Sequence, residues 1–84
     1  MVTIIFRGPL ANSFEKDKIA LSNSYSSIYD LLKQIDTKGI LINNDGRIKS
    51  GYIILINGKD YRLLENKKIN EGDVIEIIPI NHGG

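Results

Sequence analysis

Apolar and polar positions alternate in several short runs along this 84-residue chain and recur at helical spacing once, near the middle. Val2, Ile4 and Phe6 share one face of the first run, and Thr3 and Arg7 share the other. That pattern predicts a strand with one buried side. Gly8-Pro9 ends it. Alternation resumes from Lys18 to Ser22, with Ile19 and Leu21 inward, and the two runs are expected to pair as a hairpin through a long, loose connection. Residues 22–27 are rich in Ser and Asn. Ser27 followed by Asp30 is close to a capping box, with Asp in place of the usual Glu or Gln. Ile28, Leu31, Leu32 and Ile35 then fall at i, i+3, i+4 and i+7, one apolar stripe over about three turns. A helix is predicted near residues 27–38, with Lys38 complementing its dipole and Gly39 at the C′ position.

Residues 40–51 read as a connection centred on Asn43-Asn44-Asp45-Gly46. The cluster lacks the alternating acidic ligands and closing Glu of a calcium loop, so it reads as a turn. Tyr52–Ile56, Asn57-Gly58 and Lys59–Leu63 give the strongest local signal: Asn-Gly between two strand-like runs predicts a two-residue type I′ hairpin. After a loop holding Ile69, Glu71-Gly72-Asp73 turns the chain into a last strand over 74–80. The predicted order is strand, strand, helix, strand, strand, strand. It is an α+β layer with one principal helix on one face of a mixed four- to five-stranded sheet.

Parity orients the strands. Glu76 is the charged residue inside the last strand and is costly to bury unpaired, so it should face water. Ile75 and Ile77 then face the helix, and Ile78 and Ile80 lie on the outer face with Glu76. In the hairpin, Leu55 should face Asp60, Ile54 face Tyr61 and Ile53 face Arg62. Asp60 and Arg62 belong outside, which takes Ile53 and Leu55 out with them and sends Ile54, Tyr61 and Leu63 inward. If the last strand lies beside Tyr52–Ile56, then Ile53, Leu55, Ile78 and Ile80 form an exposed aliphatic patch, a candidate partner surface.

Composition narrows the chemistry. Sixteen residues are Ile, suited to half-buried strands, and the length suits one domain. There is no Cys, which excludes disulfides, thiolate metal sites and cysteine nucleophiles. Net charge is +1, and the one adjacent basic pair is Lys67-Lys68. That is not the footprint of a nucleic-acid binder, and no direct nucleic-acid partner is expected. The longest apolar run, Tyr52–Ile56, is far short of a membrane span, and the start is charged too soon for a signal peptide. A cytoplasmic protein without a membrane role is expected.

The run 74–80 leads directly into Asn81-His82-Gly83-Gly84. Two residues without Cβ atoms before a carboxylate make a thin lead that can enter a narrow active site. The expected organisation is one domain over 1–80 and a flexible reactive tail over 81–84.

The element order, the Ile56-Asn57-Gly58-Lys59 hairpin, the Glu71-Gly72-Asp73 turn, Pro79 near the end and the terminal Gly83-Gly84 together resemble the ubiquitin-related sulfur carriers and modifiers. These share the β-grasp fold and include the small subunit of molybdopterin synthase, the thiamine-pathway sulfur carrier, the ubiquitin-related modifier and the archaeal small modifiers. The tail is most similar to the ubiquitin-related modifier, whose ending reads Leu-His-Gly-Gly; Asn81 stands here in place of Leu. Pro79-Ile80 lacks the paired prolines of molybdopterin-synthase small subunits.

The resemblance implies that Gly84 is adenylated by an E1-like activating enzyme and converted to a thiocarboxylate. The sulfur would serve tRNA thiolation or molybdopterin-type biosynthesis. It also allows conjugation of Gly84 to lysines of target proteins through an isopeptide bond, since both routes begin with the same adenylate. Asn81, His82 and Gly83 would thread into the activating enzyme. The chain would itself be no enzyme and would hold no catalytic residue, metal or cofactor. ATP and magnesium would belong to the activating enzyme, in keeping with the lack of a Gly-rich phosphate loop here. Two other readings are a β-grasp binding module with an incidental tail and an obligate enzyme subunit. A ferredoxin use of the fold is excluded by the lack of Cys.

Overall fold

The apolar stripe forms helix α2 (Ile28–Ile35) in the computed structural model, which describes residues 1–64 and 67–80. Ile28, Leu31 and Leu32 are buried and Ile35 packs partly buried beside them. Ser27 is the N-cap, and its hydroxyl accepts the Asp30 N–H at 3.3 Å. The Ser26 hydroxyl in turn donates to the Asp30 carboxylate. Leu31→Ala or Leu32→Ala should cost about 2–5 kcal/mol, read from denaturant midpoints. A loss under about half a kcal/mol at both positions would contradict this packing.

The helix stops before residue 38 because Asp36 leaves the helical conformation and turns its carboxylate inward. This group is 8% exposed. It accepts the backbone N–H groups of Ile40 (2.8 Å), Leu41 (2.7 Å) and Ile42 (2.9 Å). Buried N–H groups must find acceptors, and Asp36 supplies them where no strand does. It thereby seats Leu41 and Ile42 in the core. The Asn43-Asn44-Asp45-Gly46 segment is the expected turn, closed by the Gly46 N–H donating to the Asn43 carbonyl at 2.9 Å.

Around the helix lies a five-stranded mixed sheet. Its strands are β1 (Val2–Phe6), β2 (Lys18–Leu21), β3 (Tyr52–Ile56), β4 (Lys59–Asp60) and β5 (Val74–Pro79), in the spatial order β2-β1-β5-β3-β4. β1 pairs antiparallel with β2 and parallel with β5, and β3 pairs antiparallel with β5. The last strand of the sequence is thus the central strand of the sheet. Val2, Ile4, Phe6, Ile54, Ile56, Ile75 and Ile77 face the helix side and are buried. With one helix laid across one face, this is the β-grasp arrangement.

Three expectations need correction. The β1–β2 connection is not unstructured. Pro9 opens a short helix α1 (Pro9–Ser13) that buries Leu10. Pro is well suited to a first helical position, where its missing N–H costs nothing. The second hairpin arm does not run to Leu63. β4 ends at Asp60, and Tyr61–Leu63 form a single 3₁₀ turn. Asp60 causes this, because its carboxylate accepts the Arg62 N–H at 2.9 Å and caps the turn. Leu63 is consequently 78% exposed rather than inward. Finally Ile69, read as part of a loop, is fully buried and bridges to Tyr25.

The Asn57-Gly58 hairpin is present as expected. Asn57 (φ 52°) and Gly58 (φ 84°) both adopt the left-handed conformation that a type I′ turn requires. The tip is anchored to the start of β5. Asn57 Nδ2 donates to Asp73 Oδ1 at 2.9 Å, and Asn57 Oδ1 accepts the Val74 N–H at 2.9 Å. The Asp73 carboxylate also accepts the Asn70 N–H (2.8 Å) and Lys67 Nζ (3.3 Å). Burial pushes the Asp73 carboxyl up, but the donors from Asn70, Asn57 and Lys67 outweigh it and hold the group below the usual carboxylate range.

Candidate functional site: the outer sheet face and the chain exit

The face of the sheet away from α2 is where the sequence pattern placed a partner surface. The register Ile53↔Ile78 and Leu55↔Glu76 puts β3 and β5 side by side with these residues on one side. Ile53, Leu55, Ile78 and Ile80 therefore do share the outer face. Their exposure is uneven. Ile53 and Ile80 are 36% and 40% exposed, whereas Leu55 and Ile78 are half-buried. Expecting all four to be open thus overstates the patch, because it ignores what flanks each position. Ile78 lies on the central strand with neighbours on both sides. Leu55 sits between Glu76 of β5 and Asp60 of β4.

Parallel pairing with β1 adds residues that parity within a single strand did not bring to this face. Ile5 lies opposite Glu76. Arg7 reaches the same carboxylate, donating from Nη2 at 2.8 Å and Nε at 3.2 Å to Glu76 Oε2. Glu76 is thus outside, as its charge demands, and it is paired. A second pair closes the other edge: Arg62 Nη2 lies 2.8 Å from Asp60 Oδ2 and Nε lies 3.0 Å from Oδ1. The Arg62 side chain, then its backbone N–H, pull the Asp60 carboxyl down to about 2. The face thus has an aliphatic centre with an ion pair on either side of it.

The chain leaves the sheet beside this patch. The Ile80 N–H donates to the Gly51 carbonyl at 2.7 Å, one residue past the end of β5. A shallow cleft of about 660 Å³ opens there, walled by Ser50, Gly51, Ile53, Arg62 and Ile80. Asn81, His82, Gly83 and Gly84 lie outside the described residues.

A second cleft of about 400 Å³ lies between α2 and the 3₁₀ turn, lined by Ser27, Tyr29, Ile56, Tyr61, Arg62 and Lys67. Tyr29 and Tyr61 meet edge to face across it at 6.4 Å. Burial and the neighbouring Tyr29 push the Tyr61 hydroxyl up from its ordinary range. Among the described residues, no cluster of His, Asp or Glu could hold a metal ion, and no helix is long and apolar enough to cross a membrane.

Comparison with known proteins agrees with this geometry. The model of the ThiS family matches residues 4–84. The Schizosaccharomyces pombe protein ubiquitin-related modifier 1 is 36% identical over 90 residues, covering 92% of each chain. The crystal structure of Sulfolobus solfataricus Urm1 is 40% identical with a TM-score of 0.84, covering 93% of this chain and 99% of that one. The Amycolatopsis orientalis BexX/CysO complex contains a chain with a TM-score of 0.74 over the full length of both, but at 16% identity it speaks to the fold alone.

Proposed function

This chain belongs to the ThiS family of ubiquitin-fold sulfur carriers and modifiers, and from that premise we propose that Gly84 is its reacting group. Its relatives are carrier and modifier proteins rather than enzymes, so the chain is read as the substrate of an E1-like activating enzyme. The observation that carries the proposal is the family match running through Gly84, at the end of a short lead leaving the aliphatic patch.

In the proposed reaction the Gly84 carboxylate attacks the α-phosphorus of ATP on the activating enzyme and pyrophosphate leaves. The carboxylate is a poor electrophile, and the acyl-adenylate corrects this by giving its carbonyl carbon a good leaving group. Hydrosulfide-level sulfur then displaces AMP at the acyl carbon, the C–S bond forming as the C–O bond to AMP breaks, and loss of the thioacid proton leaves a thiocarboxylate on Gly84. The thiocarboxylate is softer and more nucleophilic than the acid. It would deliver sulfur to an acceptor enzyme, as in tRNA thiolation or molybdopterin-type synthesis. Alternatively, a target-protein lysine amine would capture an activated Gly84 as an isopeptide. ATP and magnesium are assigned to the partner. Residues 81–83 serve as the lead, with Gly83 narrow enough to pass and His82 seated against the activating enzyme. The patch of Ile53, Leu55, Ile78 and Ile80 is assigned to docking.

Intact mass tests the proposal. Incubation with ATP, the cognate activating enzyme and a sulfur donor should raise the mass by about 16 Da, oxygen exchanged for sulfur, located to the C-terminal peptide. A binding module or enzyme subunit with an incidental tail would keep its mass unchanged under the same conditions.

A further inference from the structure

Asn57-Gly58 is the sole Asn-Gly pair in the sequence, and it carries chemistry of its own. With no Cβ on Gly58, nothing hinders its backbone nitrogen from approaching the Asn57 side-chain carbonyl carbon. Both residues are exposed, so water and base reach them. We propose that Asn57 is a guarded modification site: a spontaneous deamidation centre whose rate in the folded protein is set by the Asp73 carboxylate.

The step is balanced without a redox partner. The Gly58 nitrogen gives up its proton to solvent base and bonds to Asn57 Cγ. The Cγ–Nδ2 bond breaks and ammonia leaves, taking up a proton. Water then opens the five-membered imide at either carbonyl, giving aspartate or isoaspartate. One water is consumed and one ammonia released.

The fold opposes the first bond. The Asn57 carboxamide is held across to β5 by its donation to Asp73 Oδ1 (2.9 Å) and its acceptance from the Val74 N–H (2.9 Å). The Asn57 N–H is tied to the Val74 carbonyl at 2.8 Å. Cyclisation requires the carboxamide to swing onto Gly58, which breaks both side-chain bonds and leaves the Val74 N–H without its acceptor.

The product then turns the guard into an opponent. An aspartate at 57 sets an acceptor where Asp73 needs a donor, and two carboxylates face each other at hydrogen-bond range. Lys67, 3.3 Å from Asp73, offsets part of this repulsion. The junction of hairpin tip, 67–73 loop and β5 is weakened. It lies at the opposite end of β5 from Ile80, so the chain exit and the Ile53/Ile80 end of the patch are spared.

Peptide mapping for isoaspartate at position 57 tests this, with the full chain held at mildly alkaline pH in buffer and in denaturing urea. The folded chain should convert at least about tenfold more slowly than the unfolded one. Asp73→Ala, shown folded by circular dichroism, should lose most of that protection. Should Asp73→Ala fail to fold, thermal melts of two hairpin variants decide the role of Asp73. Asn57→Gly keeps the turn and removes the side chain, whereas Asn57→Asp adds the repulsion. Asn57→Asp should melt lower than Asn57→Gly by about 4 °C or more. Equal conversion rates in buffer and urea would overturn the proposal. So would an unaltered rate in folded Asp73→Ala, or equal melting of the two hairpin variants.

Discussion

Deleting Gly84 is expected to abolish ATP–pyrophosphate exchange with the activating enzyme while leaving the melting temperature unchanged. The truncated chain still ends in a carboxylate, but that group is drawn back by one residue, about 3.3–3.6 Å along an extended chain. A reacting oxygen must lie within about 3–3.5 Å of its target to be productive, so one residue of shortfall removes near-attack geometry altogether. Gly83→Val should fail as well. Its branched side chain widens a lead that must pass into the site and restricts the backbone there. Among the described residues the buried core runs from Val2 to Ile77, and both changes fall beyond it in sequence, so an unchanged melting temperature is the expected result. Exchange at the wild-type rate by the deletion protein would mean that the terminal glycine is not the reacting group.

The second large effect is expected at the patch. Ile53→Ser combined with Ile80→Ser should raise the KM for the carrier in the same exchange assay by at least about tenfold. Each buried aliphatic side chain is worth about 1.5–3 kcal/mol, and about 1.4 kcal/mol is a factor of ten. Because these two positions are the open ones on this face, stability should change little. Leu55→Ser with Ile78→Ser should weaken docking too, but with a measurable loss of folding stability, since these side chains are half-buried between neighbouring strands. A serine pair at Lys33 and Gln34, exposed on α2, serves as control and should leave KM alone. If the Ile53/Ile80 pair also leaves KM unchanged, the outer face is not where the activating enzyme docks.

The contrast between these two pairs shows where reading the sequence reached its limit. Parity alone put Ile53, Leu55, Ile78 and Ile80 on one face, and they are on one face. It could not rank their exposure, because that depends on which strand flanks which. The central place of β5 comes from its parallel pairing with β1, contacts between residues about seventy positions apart such as Thr3 and Val74. The same pairing brings Ile5 and Arg7 to the patch. Their signal was present in the alternation Thr3, Ile5, Arg7, but its meaning required knowing that β1 and β5 are neighbours.

What the sequence determined by itself was whatever repeats over a few residues. The stripe Ile28/Leu31/Leu32/Ile35 specifies a helix because apolar side chains at that spacing can be buried together in no other conformation. Asn57-Gly58 specifies a tight turn because two consecutive left-handed residues are cheap there. Glu76 specifies its strand's orientation because an unpaired buried charge is costly. Tertiary structure decided the rest through polar groups that settle accounts locally and against the periodic pattern. Asp36 ends α2 by taking three backbone N–H groups of the following segment. Asp60 ends β4 by capping the Arg62 N–H, and so turns Leu63 out into solvent. A short carboxylate side chain competes with helix and strand for the same backbone donors, and the winner depends on which of those donors the surrounding core shields from water.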